Sequence, residues 1–284
     1  MGRRLILNAD DYGLCLEVNG AIEELIARER LSDVSILANG VCWEASVDFL
    51  GNNPGVSVGV HLNVVEGLPL NQSDSGRILT GADGRFIGRN RLMARWLMHP
   101  RDVTKAIESE WRAQIERLQN TGLNITHLDS HQHFHGFPPA WSCAVKLARQ
   151  YKIKAMRLPR ERHGPALRRT TAALALNASL TISKMFTGSE GILHNDHFLG
   201  LRRAGGYSYD DLIEDLRAIP EGLTELAVHP SVTDGSPYSH FKGNRERLAI
   251  LQASLPEDLD KLGIELVTWP HGKRLPRNER QDKS

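Results

Sequence analysis

The sequence predicts an α/β fold, a distorted, TIM-like (β/α) barrel of seven to eight parallel strands in a single domain. Two observations predict it. Short apolar segments alternate with amphipathic helical segments along most of the 284 residues, and ionisable side chains recur where the apolar segments end. Strands buried on both faces have this apolar composition, and repeated strand–helix units are typical of parallel sheets. A flat, doubly wound sheet is the alternative architecture.

Eight segments have the length and composition of buried strands. They are Leu5–Asn8, Asp33–Leu37, Val56–His61, Ile125–Leu128, Ala155–Leu158, His197–Leu199, Thr224–Val228 and Glu265–Thr268. Helices are predicted between them from apolar residues at spacings of three and four. The helices are Leu16–Arg30, Val103–Gln119, Pro139–Gln150, Tyr209–Ala218 and Gly243–Ala253. Strand–helix units repeated this often favour a closed barrel.

Two segments interrupt this alternation. Glu66–Asn90 is rich in Gly, Asn, Ser and Asp, which predicts a long loop of the kind that often covers a binding site. Arg160–Gly191 combines four arginines with a mostly apolar helix, Ala172–Phe186. That helix either covers the barrel or faces an amphiphilic substrate or a membrane surface.

The composition argues against several classes of protein. A formal net charge of +1 gives no general attraction to nucleic acid, and no apolar run reaches the ~20 residues of a membrane helix. The three scattered cysteines fit no disulfide framework, and no signal peptide precedes the first strand, so we expect a cytoplasmic protein. We expect one domain over residues 1–273 and a disordered tail over residues 274–284. A homodimer is left open.

Residues suited to metal binding and proton transfer lie at the ends of the predicted strands, within one of them or beside one. In chain order they are Asp10, Asp11, His61, a cluster at residues 126–135, Arg157, Asp196, His229 and His271. The cluster holds four histidines and an aspartate. Because the carboxyl ends of barrel strands meet at one face, we expect all of these side chains to gather there.

The paired aspartates suggest two roles around one cation. One carboxylate can bind a divalent ion, while the other accepts a proton from a water molecule that the ion activates. His61 and one or two cluster histidines would complete the site, and the rest would hold ligands in place or contact substrate. On an extended segment these cluster residues would share one face: His127, Asp129, His131, His133 and His135.

Two further residues have more than one interpretation. Arg157 lies in an apolar strand and needs partners there, so it orients Asp10, binds substrate or forms a structural ion pair. His229 either protonates a leaving amine or makes a structural hydrogen bond.

These motifs resemble those of the YdjC-like carbohydrate deacetylases, which include chitooligosaccharide deacetylases. The matching residues are Asn8–Gly13, Gly59–Asn63, Thr126–His135, Arg157 and His229-Pro230. The resemblance implies a distorted barrel that binds one divalent metal and removes an acetyl group from an N-acetylated amino sugar. It implies Asp11, His61 and His131 as metal ligands, Asp10 as general base and His229 as general acid.

The remaining expectations are less specific. Arg157 and His133 are the expected substrate contacts, and the donor set leaves zinc, magnesium, manganese and cobalt open as the metal. Gln132 stands where the family often has histidine, and an extended backbone would point it away from His131. Leu158–Glu161 and the insert after it resemble a hopanoid-biosynthesis branch of the family, in which a lipid carries the acetylated sugar.

Two functions are alternatives to a deacetylase. One is another mononuclear metal hydrolase, acting on an amide or a phosphate ester, and the other is a non-catalytic sugar-binding protein.

Overall fold

Parallel strands form one curved sheet, and helices cover its outer side. The computed structural model describes residues 2–73, 76–161, 170–235, 241–269 and 273–274. The strands are β1 (Arg3–Tyr12), β2 (Asp33–Ile36), β3 (Ser57–Leu62), β4 (Ile125–Ser130), β5 (Ala155–Met156), β6 (His197–Leu199), β7 (Gly222–Val228), β8 (Ile264–Thr268) and β9 (Lys273–Arg274). The helices are α1 (Leu16–Ala27), α2 (Trp43–Asn52), α3 (Arg89–Met98), α4 (Pro100–Gln119), α5 (Pro138–Gln150), α6 (Thr170–Phe186), α7 (Tyr209–Ala218), α8 (Gly243–Ile250) and α9 (Leu255–Lys261).

The wall of the barrel contains seven of these strands, in the order β5-β4-β3-β2-β1-β7-β6. Leu193 pairs in parallel with Ala155 of β5, and the chain runs on from Leu193 into β6, so the two ends of the sheet meet. The predicted distorted (β/α) barrel is therefore confirmed.

The eighth strand has a different place from the other seven. β8 pairs with the first residues of β1, from Arg3 to Leu5. The backbone N–H of Trp269, just past β8, donates to Asp33 Oδ1 at 3.0 Å, and Ser57 Oγ donates to the Trp269 carbonyl at 2.8 Å. Asp33 and Ser57 begin β2 and β3, so β8 runs toward the amino ends of the barrel strands and closes that end.

Alternation along the strands makes the barrel interior apolar at one end and polar at the other. In β1, Leu5, Leu7 and Ala9 belong to the main hydrophobic core shared with the helices. Ile6 instead belongs to a small cluster with Ala155, Leu223, Val267 and Trp269. By the period of two, Asn8 and Asp10 follow Ile6 on the inner face. The candidate site therefore lies above an apolar plug, at the carboxyl ends of the strands.

The sequence did not predict three of the helices, α2, α3 and α9. In α2 only Ser46 and Leu50 are buried, and in α3 only Leu92 and Trp96. Neither helix has the continuous apolar stripe on which a prediction from spacing depends. The predicted loop Glu66–Asn90 contains a short 3₁₀ turn at Gly76–Leu79, and α3 begins within it at Arg89.

Some predicted features fall outside the described residues. They include Arg162, Arg168 and Arg169 of the basic insert, and residues 275–284 of the predicted tail. Arg274, the first residue of that tail, belongs to β9 and pairs with Val267. No helix in the described ranges has the length and hydropathy that crossing a membrane requires. The single domain over residues 1–273 stays a prediction.

We predict that Gly59 in β3 is needed to make room for a buried histidine. A Cβ at Gly59 would lie 2.3 Å from Nε2 of His127, which is 0% exposed. Gly59→Ala should therefore lower the free energy of unfolding by about 1–3 kcal/mol, as overpacking does. Gly51→Ala is the control, because a methyl group added at this helical glycine would meet no heavy atom within 4 Å among the described residues outside the neighbouring backbone of its own helix. The control should gain about 0.5–1 kcal/mol. Equal urea midpoints for Gly59→Ala and wild type would contradict this assignment.

Candidate metal centre

A backbone irregularity aims both aspartates of β1 at one site. Neighbouring strand residues ordinarily point to opposite faces. The pairing of β1 with β2 shifts register between Ala9 and Tyr12, and Asp11 has a left-handed backbone with φ 66°. A bulge of this kind re-aims a side chain, so the carboxylates of Asp10 and Asp11 both reach the carboxyl end of the barrel.

Asp11 meets two histidines from other strands. Its Oδ1 lies 3.2 Å from Nε2 of His61 at the end of β3, and 2.7 Å from Nδ1 of His131 just after β4. The three residues are buried, and one donor atom from each lies within 4.8 Å of the other two. One carboxylate and two imidazoles are a common donor set for a catalytic divalent metal, and they leave positions open for water or substrate. The predicted ligand residues thus fit a metal ion.

The electrostatics of the cluster favour a positive charge. Burial alone would lower the pKa of His61, but the carboxylates of Asp129 and Asp10 and hydrogen bonds to Asp11 and Asp129 raise it to about 10. Burial also opposes charge on His131, yet the charge of Asp11 and hydrogen bonds to Asp11 and Glu66 raise its pKa to about 9. Both imidazoles are therefore protonated near neutral pH in the metal-free protein. A bound cation would displace only the proton on the ring nitrogen that faces Asp11.

Each of these imidazoles also contacts a second carboxylate. Nδ1 of His61 lies 2.9 Å from Oδ1 of Asp129, and Nε2 of His131 lies 3.1 Å from Oε2 of Glu66. The sequence motif already contained Asp129. Nothing in the sequence marked Glu66, which lies in the predicted loop after β3.

Arg157 connects the inner carboxylates. Its Nη1 and Nη2 each lie 2.7 Å from an oxygen of Asp10, and Nη2 is 2.8 Å from Oδ2 of Asp129. Its Nε donates to Oε1 of Glu225 in β7 at 2.9 Å. Arg157 is 0% exposed, so this geometry favours the orienting role over a direct substrate contact. Glu225 was not predicted from the sequence, where its only signal is a carboxylate within a mostly apolar strand.

The same geometry argues against a cation in a neighbouring group of donors. Asp10, His61 and Asp129 also bring their donor atoms within 4.8 Å of one another. A cation there would lie against the guanidinium of Arg157, which already pairs with both aspartates. Like charges at such short range repel strongly in a buried site. The cluster of Asp11, His61 and His131 has no such neighbour among its hydrogen-bonded contacts in the described residues.

The histidine cluster does not share the single face that an extended segment would give it, and only one of its histidines reaches the candidate ligands, within the expected one or two. β4 ends at Ser130, and the chain turns through left-handed conformations at Gln132 (φ 53°) and His133 (φ 54°). Only His131 therefore reaches Asp11. Gln132 lies on this turn rather than on the expected extended segment. It is exposed there and lines an open groove of about 560 Å³ with residues 87–91.

The other cluster histidines have different environments. His127 has hydroxyl oxygens of Thr126 and Ser35 at 2.8 and 3.2 Å from its two ring nitrogens. His135 lies 2.5 Å from Ser130 Oγ and 3.0 Å from the Arg157 carbonyl oxygen. Burial lowers the pKa of His127 and of His135 to about 4. Both are therefore neutral structural residues that brace the turn and the barrel wall.

His133 differs, because its Nδ1 is buried without a hydrogen-bond partner among the described residues. Its ring packs edge-on against Phe198, with centroids 5.2 Å apart. Burial and the charge of Arg157 hold its pKa well below the usual range. A neutral imidazole with a free nitrogen is compatible with the predicted substrate contact.

His229 lies near the carboxylate of Asp10. Its Nε2 is 3.8 Å from Asp10 Oδ2, while its Nδ1 has no hydrogen-bond partner among the described residues. Glu246, from α8, accepts the backbone N–H of His229 at 2.6 Å and so fixes the loop after β7. A narrow cleft opens here, lined by Asp10, Asp11, Leu14, Val18, His229, Pro230, Ser231, Thr233, Phe241 and Gly243.

Two expected members of the site do not join it. The expectation for Asp196 was wrong, because its Oδ2 accepts the N–H of Leu223 at 2.8 Å, at the start of β7 and so at the opposite end of the strands. Asp196 directly precedes β6, and a residue before a strand lies at its amino end. His271 lies outside the described residues.

Comparison with known proteins identifies the family. The profile of the family described as YdjC-like protein matches residues 4–262, and the chain belongs to this family. A carbohydrate deacetylase of Brevibacillus brevis is 31% identical over 273 residues, covering 94% of this chain and 98% of that one. A carbohydrate deacetylase of Vibrio vulnificus is 30% identical, covering 94% of this chain and 95% of that one. These matches confirm the predicted family and the prediction that the chain is a deacetylase enzyme.

A solved structure supports the fold independently. The crystal structure of an Enterococcus faecalis protein, proposed to act in cellobiose-phosphate cleavage, has a TM-score of 0.73 to this chain at 20% identity. The match covers 94% of this chain and 98% of that one. The shared fold therefore extends over nearly the whole barrel.

We predict that three single substitutions each abolish stoichiometric metal binding. Asp11→Ala, His61→Ala and His131→Ala each remove one of three donors, and the remaining two cannot close the site. Elemental analysis after dialysis should find about one divalent ion per wild-type chain and far less in each variant. His197→Ala is the control, because this ring lies at the start of β6 and its Nε2 contacts the Glu221 carbonyl. Full metal occupancy in all three variants would contradict the assignment.

Proposed function

We propose that the chain is a metal-dependent hydrolase that removes the acetyl group from an N-acetylated amino sugar and releases acetate. The observation that carries the proposal is the convergence of Asp11, His61 and His131 beside Asp10 and a cleft. The carbohydrate deacetylases among the relatives support a sugar substrate. A non-catalytic sugar-binding protein would have no use for an open metal site next to a second carboxylate.

The cation would be held by Asp11, His61 and His131. When bound, it would activate a water molecule and polarise the acetamide carbonyl of the substrate. Zinc, magnesium, manganese and cobalt are all compatible with one carboxylate and two imidazoles. A phosphatase would more commonly use two metals and additional carboxylates.

Asp10 is the proposed general base. Arg157 holds its carboxylate through two hydrogen bonds of 2.7 Å, and Asn8 Nδ2 donates to Oδ1 at 2.6 Å. These contacts fix the orientation of a group that lines the cleft. A base held in this way can take the proton of the attacking water without reorganising first. Arg157 thus acts on the reaction through Asp10.

His229 is the proposed general acid. It lines the same cleft, and its Nε2 lies 3.8 Å from Asp10 Oδ2, the oxygen that also accepts a hydrogen bond from Arg157 Nη1. An imidazole in this position can protonate the departing amine. His133 would contact the sugar through its free ring nitrogen.

We predict that Asp10→Asn keeps the metal but loses turnover by about 10²–10⁴-fold, as expected for a lost general base. The comparison variant is Glu225→Gln. It changes the carboxylate that accepts a hydrogen bond from Nε of the same Arg157, and it should lose far less activity. Acetate release and metal content should be measured together. An Asp10→Asn enzyme with the wild-type rate would make Asp10 structural and shift the base to a histidine such as His133 or His229.

The part of the substrate beyond the sugar is proposed to meet helix α6. On one side, Leu176 and Leu180 are buried, and Ser179 Oγ and Ser183 Oγ donate to the Gly136 carbonyl at 3.1 and 3.2 Å. Gly136 ends the turn that begins with His131. On the other side the helix exposes apolar side chains: Leu174 at 60%, Ile182 at 46% and Met185 at 78%. An apolar aglycone or lipid on the amino sugar would suit this exposed side.

We predict that free N-acetylglucosamine is a poor substrate beside conjugates with a large apolar aglycone. Binding energy from a remote group can raise turnover as well as affinity. Mass spectrometry of a panel of acetylated amino sugars, including N,N′-diacetylchitobiose and alkyl glycosides, should show the loss of one acetyl mass from at least one member. Equal kcat/KM for the monosaccharide and every conjugate would return α6 to the role of a covering helix. No deacetylation of any member would contradict the proposed function.

A further inference from the structure

The carboxylate of Glu66 contacts the candidate ligand His131 from outside the cluster. Oε2 of Glu66 lies 3.1 Å from His131 Nε2, while His131 Nδ1 lies 2.7 Å from Asp11 Oδ1. The two ring nitrogens therefore have separate partners. Nδ1 faces the donors that would hold a metal, and Nε2 faces Glu66.

His61 has the same arrangement with the nitrogens exchanged. Its Nε2 lies 3.2 Å from Asp11 Oδ1, and its Nδ1 lies 2.9 Å from Asp129 Oδ1. Each candidate imidazole ligand thus has one nitrogen toward Asp11 and the other on a carboxylate. When a metal-binding histidine donates its other N–H to a carboxylate, the bond fixes its tautomer and ring orientation and makes it a better ligand.

Buried amides hold the backbone of Glu66 in place. Asn63 Nδ2 donates to the Glu66 carbonyl at 2.8 Å, and the Glu66 N–H donates to Asn63 Oδ1 at 3.2 Å. Asn63 is itself held by Gln114 of α4, which accepts its N–H at 2.8 Å and donates to its carbonyl at 2.6 Å. The start of the loop after β3 is therefore fixed to the barrel, and Glu66 reaches His131 from a rigid base.

The exposure of Glu66 distinguishes its effect on metal binding from its effect on folding. Its side chain is 43% exposed, whereas that of Asp129 is 0% exposed. An ion pair so exposed contributes little to the stability of a fold. Its main effect should therefore appear when His131 must present a neutral Nδ1 to a cation.

We propose that Glu66 is a positioning residue for the metal centre, which holds His131 with its proton on Nε2 and its Nδ1 toward the ion. The inference rests on the metal site of the proposed function and adds to it a carboxylate outside the ligand set.

The test uses full-length Glu66→Ala, Glu66→Gln and the exposed control Glu190→Ala, whose carboxylate is 87% exposed beside Arg149. The dissociation constant for zinc is measured by competition with a chelator, and the melting temperature is measured without metal. Glu66→Ala should bind zinc about 10–100-fold more weakly, the usual cost of losing such a partner. Glu66→Gln should lose less zinc affinity, because the glutamine amide oxygen can still accept the Nε2–H of His131. Glu190→Ala should bind as wild type does, and the metal-free melting temperatures should agree.

Nitrogen-15 spectra of histidine-labelled, zinc-loaded protein give an independent measurement. They should show His131 protonated at Nε2 in wild type, and this signal should broaden or move in Glu66→Ala. A zinc affinity within twofold of wild type in Glu66→Ala would overturn the inference and leave the proposed function intact. A metal-free melting temperature lowered in Glu66→Ala, with unchanged zinc affinity, would make Glu66 a structural anchor instead. Wild-type protein that binds none of zinc, magnesium, manganese and cobalt stoichiometrically would contradict the proposed function itself.

Discussion

The candidate site depends on one buried guanidinium. Arg157, which follows the short strand β5, pairs with Asp10 from β1, Asp129 from β4 and Glu225 from β7. Three carboxylates around one arginine leave an excess of negative charge if all are ionised. That excess is compatible with the raised pKa of His61. Burial alone would lower this pKa, and the negative charges of Asp129 and Asp10 are the largest effects that raise it. The same negative field would favour a divalent cation at Asp11, the residue that follows Asp10 in the chain.

Local backbone strain is concentrated around this charge network. Among the described non-glycine residues, only Asp11, Glu29, Gln132, His133 and Lys152 have positive φ. Three of the five lie in the candidate site or in the turn beside it. Such conformations cost of order 1–3 kcal/mol each and persist where the surrounding structure enforces them. Here the strain has a visible result at Asp11, whose carboxylate meets His131 although β1 and β4 are not adjacent in the sheet.

The sequence predicted the strands well because their apolar runs are short and bounded by polar residues. It also predicted Asp10, Asp11, His61, His131 and His229 at one face, since strand ends converge in a barrel. It could not predict the bulge at Asp11 or the left-handed turn at Gln132 and His133, because both depend on tertiary contacts. Glu66 and Glu225 were missed for the same reason: their partners are far away in sequence, and no local pattern marks a carboxylate that supports a distant imidazole or arginine.

The central claim is that Asp11, His61 and His131, rather than the neighbouring donors around Arg157, hold the catalytic ion. Anomalous difference density from crystals of the zinc-loaded protein, collected on both sides of the zinc absorption edge, tests this most directly. We expect one strong peak about 2.0–2.2 Å from Asp11 Oδ1, His61 Nε2 and His131 Nδ1. A peak between Asp10, His61 and Asp129, or none at full zinc loading, would contradict it.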